Sequence, residues 1–120
     1  MDEECRWYCI GRCLESYSAC VRLAESLDRR SPASEILAPL LVDCAEVCLA
    51  QASSLTRARR FNRHLNALCA TLCRRCAEQC ARYGDRLAQQ CRSICGHCAE
   101  ICLALPEPAA RASGARSSAV

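Results

Sequence analysis

The sequence predicts an all-α protein, an antiparallel four-helix bundle with a cysteine-lined core. Three observations predict it. First, CATLCRRCAEQC (Cys69–Cys80) and CRSICGHCAEIC (Cys91–Cys102) both read C-x3-C-x2-C-x3-C. On an α-helix the cysteines Cys69, Cys73, Cys76 and Cys80, and likewise Cys91, Cys95, Cys98 and Cys102, fall at about 0°, 40°, 340° and 20°, one narrow stripe. On a strand they would scatter over both faces. Second, the remaining cysteines keep helical spacing. Cys44 and Cys48 are an i, i+4 pair, and Cys5, Cys9, Cys13 and Cys20 fall at about 0°, 40°, 80° and 60°. Third, the breaks between these segments are short, which favours antiparallel neighbours.

The first helix is expected from Asp2 to Leu27, ending before DRRSP. It carries a second apolar stripe, Ile10, Leu14, Tyr17 and Val21, which either widens the core contact or forms a subunit interface. Ser31 and Pro32 make a cap and first-turn pair for the second helix, Pro32 to Leu55. Pro39 inside it should kink it or mark its true start. With no Gly or Pro between Gln51 and Tyr83, the next boundary is weakly marked, and a turn is placed near Thr56–Arg59. The third helix then runs to Arg82, with Gly84 as its C-terminal cap. The fourth runs from Asp85 to Leu105 and is stopped by Pro106 and Pro108. Residues 1–105 thus form the bundle, and 106–120 a disordered tail. Leucines and isoleucines flank the thiol stripes: Leu65 and Leu72 on the third helix, and Leu87, Ile94, Ile101 and Leu105 on the fourth.

A chain of 120 residues holds one domain with a modest core. Cysteine is the outlier, at 14 residues, while the aromatics number one Trp, one Phe and three Tyr. The net charge of +3 is ordinary, and all 16 basic residues are Arg. The start, MDEECRWYCIG, has neither the basic nor the apolar region of an export signal. No stretch approaches the roughly 20 apolar residues of a membrane helix. A cytoplasmic location is therefore expected, where disulfides rarely persist and cysteine-dense chains bind metal or do redox work.

Soft thiolates select Cu(I), zinc and iron–sulfur clusters. Structural zinc takes two short knuckles, which Cys73-x2-Cys76 and Cys95-x2-Cys98 would supply, leaving the other ten cysteines unexplained. Iron–sulfur clusters need compact sets of four, which facing helices can also provide. Cu(I) accepts two or three sulfurs, suits an i, i+4 pair, and lets stripes on facing helices form a chain of bridged sites. Charge favours copper. Buried thiolates are expensive alone, and about one monovalent ion per thiolate leaves the interior near neutral, for on the order of 10–14 Cu(I) per chain. Zinc at that ratio would overcharge the core. Without metal the cysteines should pack as neutral thiols, and metal would displace their protons.

On DCAEVC (Asp43–Cys48), CRRCAEQCARYGD (Cys73–Asp85), CRSICGHCAEIC (Cys91–Cys102) and CLESYSAC (Cys13–Cys20), the chain resembles the bacterial copper storage proteins. The resemblance covers roughly Cys5 to Leu103. It implies the bundle fold, core cysteines as ligands, a tetramer as a frequent assembly, and a cytosolic location for members without a signal. The chain departs from the family pattern at Asn62 and Ala19, where the family often has His, and at Asn66, where a Cys is expected. Arg6 and Arg12 interrupt a denser cysteine spacing. Asn62 and Asn66, at about 20–60° from Cys69, are expected to face inward.

Other features carry less. Twin CX3C pairs such as Cys76–Cys80 and Cys91–Cys95 can be stapled by disulfides across a helical hairpin. His64 and His97 lie at about 220° and 240° from the thiol stripes and are expected in solvent. Met1 would sit near a bundle end. RARR (Arg57–Arg60), with Arg63 beyond, is too small and too poor in aromatics for a nucleic-acid surface. Glu46, Glu78 and Glu100 in the CAExC repeats point outward as solubilising charge, and no acid–base pocket supports an enzyme. The sequence reading is a cytosolic, non-enzymatic Cu(I) store with all fourteen cysteines as ligands, free of nucleic acid and membrane and forming a homo-oligomer. The alternative is a redox bundle holding an iron–sulfur cluster.

Overall fold

The computed structural model describes residues 2–57 and 61–105. Four helices follow in order: α1 (Glu3–Ser26), α2 (Pro32–Arg57), α3 (Arg63–Cys80) and α4 (Arg86–Ala104). Each of α1 and α3 packs beside both α2 and α4, so the four close into a square of alternating direction. This is the all-α bundle the cysteine spacing predicts, with no strand among the described residues.

The helix starts are written in side chains. Asp2 accepts the Cys5 N–H at 2.7 Å, Asn62 the Leu65 N–H at 3.0 Å, and Asp85 the Ala88 N–H at 3.2 Å. Each satisfies one of the donors a first turn leaves open. Between α1 and α2 the chain turns on Asp28, whose carbonyl takes the Ser31 N–H at 2.9 Å and whose side chain takes the Arg30 N–H at 3.0 Å. Pro32 opens α2 as its first helical residue. Pro39 does not mark the start, and the helix runs through it.

Three boundary expectations are corrected. α2 continues through Thr56 and Arg57, where a turn was expected to begin. α3 ends at Cys80 rather than Arg82, because the chain tightens there: the N–H groups of Arg82 and Tyr83 bond the carbonyls of Gln79 and Cys80, three residues back. Gly84 is not a left-handed cap, since its φ is outside that region and Ala81 ends the helix in ordinary helical geometry. The expected tail at 106–120, Met1 and most of the RARR cluster lie outside the described residues.

The core is a column of sulfur closed at one end by leucine. Every cysteine except Cys5 is buried, together with Leu23, Leu37, Leu41 and Leu55. Cysteine and alanine are small, so the helices approach closely, and Leu72, Leu87, Ile94, Ile101 and Leu105 seal the seams from outside. Because this apolar frame needs no metal, the apo protein is expected to stay helical by circular dichroism. The substitution Leu41→Ala, at a fully buried site, is expected to cost about 2–5 kcal/mol in urea unfolding. Loss of the helical signal on copper removal would show that metal holds the frame instead.

Candidate metal centre

The thiol stripes of all four helices meet along the bundle axis. α1 supplies Cys9, Cys13 and Cys20, α2 Cys44 and Cys48, α3 Cys69, Cys73, Cys76 and Cys80, and α4 Cys91, Cys95, Cys98 and Cys102. All 14 cysteines are free, so no disulfide staples the α3–α4 hairpin. Their sulfurs touch in a chain. Cys48 lies 3.4 Å from Cys73, 3.8 Å from Cys69 and 4.0 Å from Cys44. Cys20 lies 3.6 Å from Cys95, 3.8 Å from Cys76 and 3.9 Å from Cys91. Cys13 lies 4.0 Å from Cys98.

Within this column three sets of four sulfurs lie within 4.8 Å of one another: Cys13, Cys69, Cys98 and Cys102; Cys48, Cys69, Cys73 and Cys98; and Cys20, Cys76, Cys91 and Cys95. At a metal–sulfur distance of roughly 2.3 Å, three sulfurs around one ion stand about 4.0 Å apart, and two in line about 4.6 Å. The sets therefore match single ions with small adjustments. An iron–sulfur cube holds each thiolate on a different iron corner and spreads the four well beyond this spacing. The zinc-knuckle grouping is not formed either. Cys73 belongs with Cys48, Cys69 and Cys98, whereas Cys76 belongs with Cys20, Cys91 and Cys95. The x2 step moves the second cysteine up the axis to the next set. Two sets share Cys69 and Cys98, the arrangement a bridging thiolate requires.

The dry surroundings set the proton chemistry. Cys9, Cys69 and Cys98 are held above the ordinary thiol value of 9.0, chiefly by the thiol of Cys102, and burial adds to each. Cys20 is raised chiefly by Cys44, and Cys76 by Cys20. Cys102 and Cys95 are lowered, chiefly by S–H donation from Cys13 and Cys20 respectively. Cys13, Cys48, Cys73 and Cys80 are lowered as well, so within the column raised and lowered thiols alternate and the protons leave in steps that belong to the set and not to one residue. A soft cation is what releases the rest.

The departures from the cysteine pattern have structural work. Asn62 does not face inward: it is the exposed N-cap of α3, just before the helical turn that its angle presumed. Asn66 faces the end of the column. It accepts from Gln51 Nε2 at 2.8 Å and donates to the Cys102 carbonyl at 2.9 Å. Arg6, 8 % exposed, turns across the same end, donating to the Leu55 carbonyl at 2.7 Å and pairing with Glu3 at 2.7 Å. It thereby satisfies a carbonyl that the end of α2 leaves open. Arg12 stays on the flank beside Glu15, 5.0 Å from the Tyr8 ring. Ala19 is simply buried. His64 and His97 are exposed, as their angles require, and His97 Nε2 is 3.0 Å from the Tyr8 hydroxyl. Glu46, Glu78 and Glu100 are also exposed.

Two interior residues escaped the sequence reading. Gln51, 1 % exposed, continues the α2 stripe one step past Cys48. Ser16, fully buried, puts Oγ 3.2 Å from the sulfur of Cys95 and 3.6 Å from that of Cys73. Cys9, Cys13, Ser16 and Cys20 repeat the 4-3-4 spacing of the two ladders, with oxygen on the third rung. That spacing, followed without regard to residue type, would have found it.

A helical bundle whose interior is a buried array of contacting thiols is a protein built to hold soft metal ions in number. The family model for copper storage protein matches residues 2–107, and the chain belongs to that family. The protein is a copper store, and its cysteine clusters offer more than one site. Among curated proteins none matches this chain. No described helix is long and apolar enough to cross a membrane.

Two outcomes follow for the reduced apo protein. Cys5, half-buried where the other thirteen are buried, is expected to react first with a thiol reagent, followed by a slow phase for the rest. Uniform fast reaction would mean an open core. Stability is expected to fall as pH rises through the ordinary thiol value of 9.0, because the folded chain keeps protons on the raised thiols that the unfolded chain has lost. The slope approaches ~1.4 kcal/mol per pH unit for each such thiol. Urea midpoints on either side of that pH check it.

Proposed function

We propose that the protein is a cytosolic, non-enzymatic store that sequesters Cu(I), with all fourteen cysteines as ligands: Cys5, Cys9, Cys13, Cys20, Cys44, Cys48, Cys69, Cys73, Cys76, Cys80, Cys91, Cys95, Cys98 and Cys102. One observation carries the reading. Thirteen thiols share a continuous dry interior, and among the described residues Arg6, at one end, is the buried cation. Filling that interior with thiolates requires about one positive charge per sulfur, and a monovalent soft ion supplies it through bridging. The expected capacity is on the order of 10–14 Cu(I) per chain. Cytosolic copper displaces other metals from thiolate sites, consistent with its place in the affinity order, and enclosure protects those sites.

The storing unit is the single bundle of residues 1–105. A homo-oligomer, a tetramer by family likeness, agrees with its surface. Leu14 at 41 %, Val42 at 48 % and Leu49 at 43 % exposure spread apolar area along the α1–α2 side. Of the second α1 stripe, Ile10 is in the core and Tyr17 and Val21 pack against it, so Leu14 alone is left for a partner.

An anaerobic Cu(I) titration of reduced apo protein against a chromogenic chelator tests the reading. Uptake of roughly ten or more ions before the chelator colours is expected, with about one proton released per thiol. Uptake of about two or fewer would overturn it. Replacing the α3 ladder, Cys69, Cys73, Cys76 and Cys80, by serine should remove on the order of a third of the capacity.

A further inference from the structure

Two closed triangles of sulfur stand within the column and share no residue. In the first, Cys20 lies 3.6 Å from Cys95 and 3.9 Å from Cys91, and Cys91 lies 3.7 Å from Cys95. Cys76, 3.8 Å from Cys20 and 4.0 Å from Cys91, is a spare corner of it. In the second, Cys48 lies 3.4 Å from Cys73 and 4.0 Å from Cys44, and Cys44 lies 3.8 Å from Cys73. Cys20, Cys91, Cys95, Cys44, Cys48 and Cys73 are all fully buried. With bonds of about 2.3 Å to sulfur, a centre in the plane of three sulfurs holds them about 4.0 Å apart. Every edge of the two triangles except Cys44–Cys48 is shorter, so a centre bonded to all three sulfurs sits above their plane. That pyramid is the shape a trivalent arsenic or antimony centre prefers, because its lone pair occupies the fourth direction.

We propose that each triangle binds one trivalent metalloid, taken up as a neutral hydroxide such as As(OH)3, so that the copper-free protein is also a trap for arsenic. The inference goes beyond the copper reading and does not rest on it, since it needs only reduced thiols at this spacing. The step is a condensation: As(OH)3 and three thiols give As(SR)3 and three waters. Three As–O bonds break and three As–S bonds form. Each S–H proton leaves with a hydroxide as water, and arsenic stays trivalent throughout. Charge selects this cargo. Neutral thiols and a neutral hydroxide become a neutral site, so no charge enters the dry core. A single Cu(I) on three thiolates leaves two negative charges until further ions bridge them, and a divalent ion leaves one, each costly without water. Folding already holds the three thiols near the separation the product needs, so little ordering is lost on binding.

Native mass spectrometry of the reduced apo protein with sodium arsenite, near neutral pH and without oxygen, tests it. Each arsenic is expected to add its own mass less three hydrogens, the signature of three thiols consumed. An adduct on only two thiols keeps a hydroxyl and is heavier by one water. Tightly held arsenic should stop at one per triangle. Cys20→Ala with Cys91→Ala leaves the first triangle and its spare corner one thiol short and should remove one of these arsenics. Cys44→Ala with Cys48→Ala should remove the other. In equilibrium dialysis the chain unfolded in urea should bind arsenite at least about tenfold more weakly than the folded one. Hydroxyl-bearing adducts, equal affinity in urea, or double variants that keep both arsenics overturn the proposal. Where a double variant fails to fold, the adduct mass and the urea comparison on the wild type decide. Copper uptake of roughly ten ions with no arsenic bound defeats this inference alone, and copper uptake of about two or fewer with both arsenics bound defeats the storage reading alone.

Discussion

The structure depends on one constraint: thiols packed in a dry column cannot all ionise together without cations to replace their protons. Burial alone makes a thiolate costly, and a second thiolate beside it more so. The folded apo protein limits this by holding its raised thiols as neutral, small, apolar side chains that pack as alanine or valine would. The loaded protein avoids it by exchanging protons for soft monovalent ions. The same atoms therefore serve as the core of one state and the ligands of the other. This dual use explains why a chain with five aromatic residues in all folds around its metal site rather than beside it.

The geometry follows from helical repeat. The 4-3-4 spacing keeps successive thiols within a narrow arc while advancing them along the axis. Sulfurs on one helix thus fall at different levels, and each level is completed by the facing helices. Cys73 and Cys76, close in sequence, serve different sets, whereas Cys20 of α1 and Cys76 of the diagonally opposite α3 meet at 3.8 Å. A loop-wrapped cluster gathers neighbours in sequence. A bundle gathers neighbours in register, and so builds a column in place of a single site.

Much of this was legible in the sequence because it rests on periodicity. The α3 and α4 ladders, the flanking Leu72, Leu87 and Ile94, and the outward His64 and His97 all follow from angles on a helix. What was not legible depends on where a helix starts or on polar residues that share the stripe. Asn62 has the angle of an inward residue, yet the chain is not helical before Arg63, so the angle has no meaning there. Ser16 and Gln51 stand on the stripe, but a search by residue type for cysteine passes over them. Cys5 shares the α1 stripe and is only half-buried, because it lies in the first turn, where the neighbouring helices end.

The two ends of the column differ in kind. At one end Leu23, Leu37 and Leu41 are fully enclosed and offer neither water nor a ligand a foothold. At the other, Arg6 donates to the Leu55 carbonyl, Asn66 donates to the Cys102 carbonyl, and Gln51 donates to Asn66. Opening the leucine end exposes apolar area that water does not repay. Opening the polar end exchanges protein hydrogen bonds for hydrogen bonds to water, a small net change for each bond. The asymmetry is built from the same stripe positions that hold cysteine in the middle, so the identity of the residue on each rung sets where the column stores and where it opens with least resistance.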